Sequence, residues 1–155
     1  FALKLLAEQT GRTLDDLLGE LGSRAGLAAL SGTGGDMRDI EDGAAAGDRR
    51  CRLALDVYTT AIRDYLGAYL VELGGADAIV FTGGIGQKSP VVRAAVLDGL
   101  AFAGIVPDPA ANERTKDTGR IESADSGTAV WVVPTNEELI VARQAAELLA
   151  GGSGT

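Results

Sequence analysis

The segment Ile79-Val-Phe-Thr-Gly-Gly-Ile-Gly-Gln-Lys-Ser89 constrains the fold more than any other part of the sequence. A β-branched apolar run breaks into Gly83, Gly84 and Gly86, and Ser89-Pro90 then opens a helix. Glycines after a strand let main-chain N–H groups approach a ligand with no Cβ in the way, and a following helix start offers unpaired donors and a positive dipole end. That is a nucleotide loop in outline. Two familiar phosphate fingerprints nevertheless fail. A P-loop requires Gly immediately before Lys-Ser, where this chain has Gln87, and the dinucleotide pattern started at Gly84 meets Ser89 where its last Gly belongs. The loop therefore belongs to another class of nucleotide site, or is a tight strand-to-helix turn that binds nothing.

Composition restricts the setting. With 155 residues, 46% hydrophobic and 23% charged, the chain can bury a core of ordinary size and reads as one soluble globular unit. No apolar stretch approaches the length of a membrane span, so no membrane partner is expected. Fourteen basic against 22 acidic residues give a charge of −8, with no basic stripe, which argues against nucleic acid. The sequence has no histidine, so acid–base or metal chemistry falls to carboxylates. The single cysteine, Cys51, excludes an internal disulfide, and without a secretory start the expected compartment is the reducing cytoplasm. Phe1-Ala-Leu-Lys-Leu-Leu6 begins in helical rhythm without Met, so an upstream segment is expected, and 151–155 reads as a flexible tail.

Periodicity predicts helices over 2–9 and from Thr13, as cap, to about Leu21. A glycine-rich loop follows from Leu30 to Gly35, then one or two helical turns from Asp39 to Ala46. A long helix is expected over 48–73, with Leu55, Tyr58, Ile62, Tyr65, Leu66, Tyr69 and Leu73 as one buried face, stopped by Gly74-Gly75. A buried strand at 78–82 feeds the glycine loop and a helix at 90–102, capped by Ser89 with Pro90 in its first turn. Residues 104–128 read as loop with a short strand at Arg120–Glu122. A second buried strand, Ala129–Val133, then leads into a helix at 136–149. The order of elements predicts an α/β layer fold with a largely parallel sheet.

Two further loops carry candidate chemistry. In Ser31-Gly-Thr-Gly-Gly-Asp-Met-Arg-Asp39, capping preference alone explains Ser, Gly and Asp, but not Arg38 beside Asp36. A guanidinium can stack on a base while a carboxylate holds a ribose hydroxyl, so the pair suits a nucleoside as well as a turn. In Pro134-Thr-Asn-Glu-Glu138, Thr135-x-x-Glu138 fits a capping box, which assigns Glu138 to the main chain. Glu137 is spare. At the carboxyl end of a strand, where open α/β sheets bind ligands, it is a candidate for magnesium, directly or through water.

Taken together, Ser31–Asp39, Val80-Phe-Thr-Gly-Gly-Ile-Gly86 with Ser89-Pro90, and Val133-Pro-Thr-Asn-Glu-Glu138, in this order and spacing, resemble the C-terminal part of the acetate kinase family, over essentially the whole chain to Leu149. The resemblance implies part of an actin-like ATPase domain, of the superfamily that also holds sugar kinases and heat-shock ATPases. It implies residues 1–150 as a C-terminal nucleotide-binding and dimerisation part, with the N-terminal domain absent. Position by position it implies that Asp36, Met37 and Arg38 line an adenosine pocket, that Gly84, Ile85, Gly86, Gln87 and Lys88 form a second nucleotide loop, and that Glu137 holds Mg²⁺. ATP, a short-chain carboxylate such as acetate, and a second copy of the chain are the implied partners.

The departures from the family pattern matter. Gln87-Lys88 stands where the family usually has Glu-Asn, and Gly34-Gly35 where it commonly has Ser-Ser or Ser-Asn, which removes a group that would cap the loop. The family's catalytic arginines, histidine and acid belong to upstream segments, so no catalytic residue is assigned here. The implied reaction is reversible transfer of the ATP γ-phosphoryl group to acetate, giving acetyl phosphate, with propionate or butyrate as alternative acceptors and a non-catalytic nucleotide-binding or dimerisation module as the other reading.

Overall fold

The computed structural model describes residues 2–151. The chain divides into two compact units, Phe1–Glu72 and Leu73–Thr155.

The first unit is helical. Helix α1 covers Ala2–Thr10, and α2 covers Leu14–Arg24 with Thr13 as N-cap, its hydroxyl accepting from Asp16 N at 3.1 Å. A short α3, Leu27–Ser31, occupies a stretch to which no element was assigned and runs into the first two residues of the loop expected from Leu30; α4, Met37–Ala45, begins two residues before the expected start because Asp36 caps it. Helix α5 spans Arg49–Leu73, close to the predicted 48–73. Leu17, Met37, Ile40, Cys51 and Ala54 form the core.

The expected buried face of α5 is corrected by the structure: Tyr65, Tyr69 and Leu73 are 61–73% exposed, and the buried residues are Cys51, Ala54 and Thr59. Small side chains let α4 close in at that end. A Cβ on Gly43 would lie 2.5 Å from Cys51 Sγ, so no larger residue fits there. Three-to-four spacing identifies an apolar stripe, but not whether anything in the same unit covers it.

The second unit is built on a three-stranded sheet. Strand β1, Ala78–Phe81, pairs in parallel with β3, Ala129–Val132, and the two-residue β2, Gly119–Arg120, pairs antiparallel with β3, giving the order β1-β3-β2. The sheet is thus mixed rather than largely parallel. Strand β1 is also less buried than expected: Phe81 is buried, but Val80, one position back and so on the opposite face of the sheet, is 54% exposed. Beyond β1 the glycine segment is not a loop. It winds into a six-residue helix α6, Gly83–Lys88.

Helix α7, Pro90–Leu97, starts as predicted, with Ser89 Oγ accepting from Val92 N at 2.9 Å, but ends early where Gly99 takes a left-handed conformation before a 3₁₀ turn at Leu100–Ala103. A further helix, α8, covers Pro109–Arg114 inside the predicted loop, with Asp108 as cap. Helix α9 runs Glu137–Gly151, and residues 152–155 of the expected tail lie outside the described residues. Val92, Val96, Leu97, Ile105, Ile121, Val130 and Val132 make the core beneath the sheet and α7.

Candidate nucleotide site

Strands β1 and β3 lie side by side in parallel, with Phe81 opposite Val132, and Val133 N donates to Phe81 O at 2.9 Å. Their chains therefore leave the sheet at one end, β1 into the glycine helix α6 and β3 toward the start of α9. The carboxyl ends of adjacent parallel strands are where open α/β sheets bind ligands. Two of the three candidate segments, Gly84–Lys88 and the approach to Glu137, share that end.

Within α6, Gly84 and Lys88 are exposed, while Ile85, Gly86 and Gln87 are half-buried. Gln87 is anchored: its Nε2 donates to Lys116 O at 3.1 Å. A glutamate, which when ionised only accepts, could not make this bond.

A residue that the sequence reading missed holds the segment from within. Arg93 of α7 is fully buried, at 0% exposure. Its Nη1 donates to Gly86 O at 3.0 Å and Gln87 O at 2.7 Å, its Nε to Asn112 Oδ1 at 2.7 Å, and its Nη2 to Asn112 O at 2.7 Å and Thr115 O at 3.5 Å. Burial pulls its pKa down, and the charge of Glu113 acts in the opposite direction. The sequence signal was a charge inside the apolar stripe Val92, Val96, Leu97. Helix α8, which supplies Asn112, was signalled by Asp108-Pro109, the same cap-and-proline pattern as Ser89-Pro90.

At the start of α9, the capping box is corrected. Asn136 is the cap, its Oδ1 accepting from Leu139 N at 3.0 Å, which shifts the helix start one residue past the expected Thr135 cap. Asn is at least as good an N-cap as Thr and stands one position nearer. Glu137 and Glu138 then occupy the first two helical positions; their side chains lie outside the described residues. Among the described residues, no group of three or more Cys, Asp or Glu is placed to hold a metal ion.

The third candidate segment belongs to the first unit. Its loop is self-supporting without a side chain at Gly34 or Gly35: Ser31 Oγ donates to Leu27 O at 2.7 Å and accepts from Thr33 N at 3.1 Å, and Gly35 N donates to Thr33 Oγ1 at 3.3 Å. Arg50 of α5 donates to Ala29 O at 2.8 Å and Leu30 O at 3.2 Å. Glycine suits position 32, because its φ of +76° lies in the left-handed region that L side chains rarely adopt.

Asp36 caps α4 and also grips the next side chain but one. Its Oδ1 accepts from Arg38 N at 2.9 Å and Arg38 Nε at 3.1 Å, and its Oδ2 from Arg38 Nη2 at 2.6 Å. The Arg38 side chain, and after it the Arg38 N–H, hold the Asp36 carboxyl down at about 2. The Arg38 side chain is 85% exposed, so its guanidinium plane is fixed at one edge and open on its faces. Met37 is buried, at 6% exposure, and serves the core of this unit.

Residues 2–143 match the model of the acetokinase family. The chain is 44% identical over 148 residues to the acetate kinase of Natranaerobius thermophilus, an alignment covering 95% of this chain and 37% of that protein. The crystal structure of Porphyromonas gingivalis acetate kinase superposes with a TM-score of 0.84 at 34% identity, over 96% of this chain and 37% of that one. A propionate kinase from Francisella tularensis is similar at a TM-score of 0.80 and 28% identity, over 90% of this chain and 35% of its own. The chain thus spans a little over a third of the length of the relatives it matches.

Proposed function

Because this chain belongs to the acetokinase family, we propose that it is the C-terminal, nucleotide-binding part of an ATP-dependent acetate kinase. The observation that carries the reading is the parallel pairing of β1 with β3, which delivers the glycine helix and the start of α9 to the same end of the sheet. Arg38 presents an exposed guanidinium face on which a purine can stack, and Asp36 keeps that plane oriented by gripping its edge. The exposed main chain at Gly84 offers a surface without side chains against which a nucleotide can lie.

The reaction is in-line displacement. A carboxylate oxygen of acetate attacks the γ-phosphorus of ATP, the bond to the β–γ bridging oxygen breaks, and ADP leaves as acetyl phosphate forms. The acceptor is already an anion, so no general base is needed, and catalysis rests on alignment and charge neutralisation. Glu137, at the first position of α9, is the residue that would hold Mg²⁺, a hard cation that takes carboxylate oxygens. When bound, the ion neutralises phosphate charge. The other partners proposed are a second copy of the chain, forming a homodimer, and a cytoplasmic setting; no helix among the described residues is long and apolar enough to cross a membrane.

The chain by itself carries the nucleotide side of the site and no catalytic residue. A hydroxamate assay of acyl phosphate formation, run with acetate, propionate and butyrate, tests both points. The full-length gene product should turn over, with acetate preferred, and this chain alone should not. Equal rates for the two would overturn the division of labour, and a preference for propionate or butyrate would reassign the acid.

A further inference from the structure

We propose that Arg93 and Asn112 are positioning residues that set the geometry of the Gly83–Lys88 segment for nucleotide binding. The proposal rests on the reading of that segment as a nucleotide contact.

A six-residue helix containing three glycines has little stability of its own, since each glycine loosens the backbone and one and a half turns barely exceed a helix nucleus. Something outside it must hold its shape. Arg93 does so at the carbonyl end: both hydrogens of Nη1 are used on Gly86 O and Gln87 O, the last turn of α6. The other edge of the guanidinium is fixed on α8, through Asn112 Oδ1, Asn112 O and Thr115 O. Asn112 closes the frame by donating from Nδ2 to Pro90 O at 2.9 Å, at the start of α7. Gln87 adds a lateral tie to Lys116 O.

Every acceptor of this buried cation is a neutral main-chain or amide oxygen. Such a group is an expensive way to fill core volume, and an aliphatic residue would pack there at lower desolvation cost. What a planar five-donor fork provides, and a hydrocarbon does not, is fixed orientation of several carbonyls at once. Those carbonyls belong to the residues that follow the exposed Gly84, so their orientation sets that of the glycine main chain.

The test uses the full-length gene product, with ADP affinity by calorimetry, KM values for ATP and for acetate, and hydrogen exchange of the 83–88 amides with and without ADP. Arg93→Lys keeps the charge and loses the fork; it should raise the ADP dissociation constant and the ATP KM about tenfold while the acetate KM changes less than about twofold. Asn112→Leu should act in the same sense, and Asn112→Asp, which retains an oxygen for Arg93 Nε but loses the donor to Pro90 O, should recover part of the affinity. Lower melting temperatures with ADP affinity at the wild-type value in both Arg93→Lys and Asn112→Leu would make the pair ordinary core residues and overturn the proposal alone. If ADP leaves exchange at 83–88 unchanged in the wild type, the nucleotide reading of the segment falls and takes the proposal with it. Should Arg93→Lys not fold, the contrast between Asn112→Leu and Asn112→Asp decides.

Discussion

Asp36 has two tasks in this chain, and both fall on the same carboxylate. It caps α4 and it fixes the Arg38 guanidinium. Its pKa is depressed, to about 2, so the stabilisation of the ionised cap is present at pH values above the ordinary aspartate range and is lost as pH falls through about 2. A carbon-detected titration of the Asp36 carboxyl should find its midpoint near 2 in the native chain, moving up toward the ordinary aspartate value in Arg38→Ala. In the full-length protein Arg38→Ala should also weaken ATP binding about tenfold through lost stacking, with the circular dichroism unchanged. Unaltered affinity by calorimetry would remove Arg38 from the nucleotide contact. The sequence made the pair visible as Asp36-x-Arg38, but not that the carboxylate is already committed to the guanidinium. That depends on a rotamer, which spacing does not encode.

At the scale of elements, the helix starts at Thr13 and Ser89 were legible from their capping residues, whereas the start set by Asp36 was expected two residues late and the helix capped by Asp108 was read as loop. Thr13, Ser89 and Asp36 each accept from main-chain N–H groups at the head of a helix. Where two candidates competed, at Thr135 and Asn136, local pattern favoured the capping box and the structure uses the asparagine. Asn136→Ala should therefore lower stability by about 1 kcal/mol, and Thr135→Ala by much less, in thermal denaturation. With the box gone, Glu137 and Glu138 share the positive end of α9 and differ only in the role proposed for Mg²⁺. Glu137→Gln should raise the Mg²⁺ requirement and lower kcat in the full-length enzyme, whereas Glu138→Gln should leave both near wild type. A Mg²⁺ titration shifted only by Glu138→Gln would exchange the roles. Helix α6 was the least legible element, because three glycines in six residues read as loop. Its last carbonyls are held by Arg93, whose guanidinium is in turn fixed on Asn112, a residue remote in sequence.

At the scale of the whole molecule, the α/β fold expected from the motifs is the one this chain shares with solved acetate kinases, whose architecture is that of the actin-like ATPases. The family was readable because three short motifs recur in order over most of the chain, and order plus spacing is far more specific than any one glycine cluster. Burial was not readable to the same degree. The stripe Tyr65, Tyr69, Leu73 and the outer face of β1 at Val80 are apolar and exposed, because a hydrophobic pattern records that a surface needs covering and not what covers it. The central claim is that this chain carries the nucleotide site, and photolabelling of the full-length protein with an azido-adenine analogue of ATP, followed by peptide mapping, tests it most directly. Adducts are expected within 36–38, where the purine is proposed to stack, suppressed by excess ATP. Labelling confined to other segments, or labelling within 36–38 that ATP does not suppress, would contradict it.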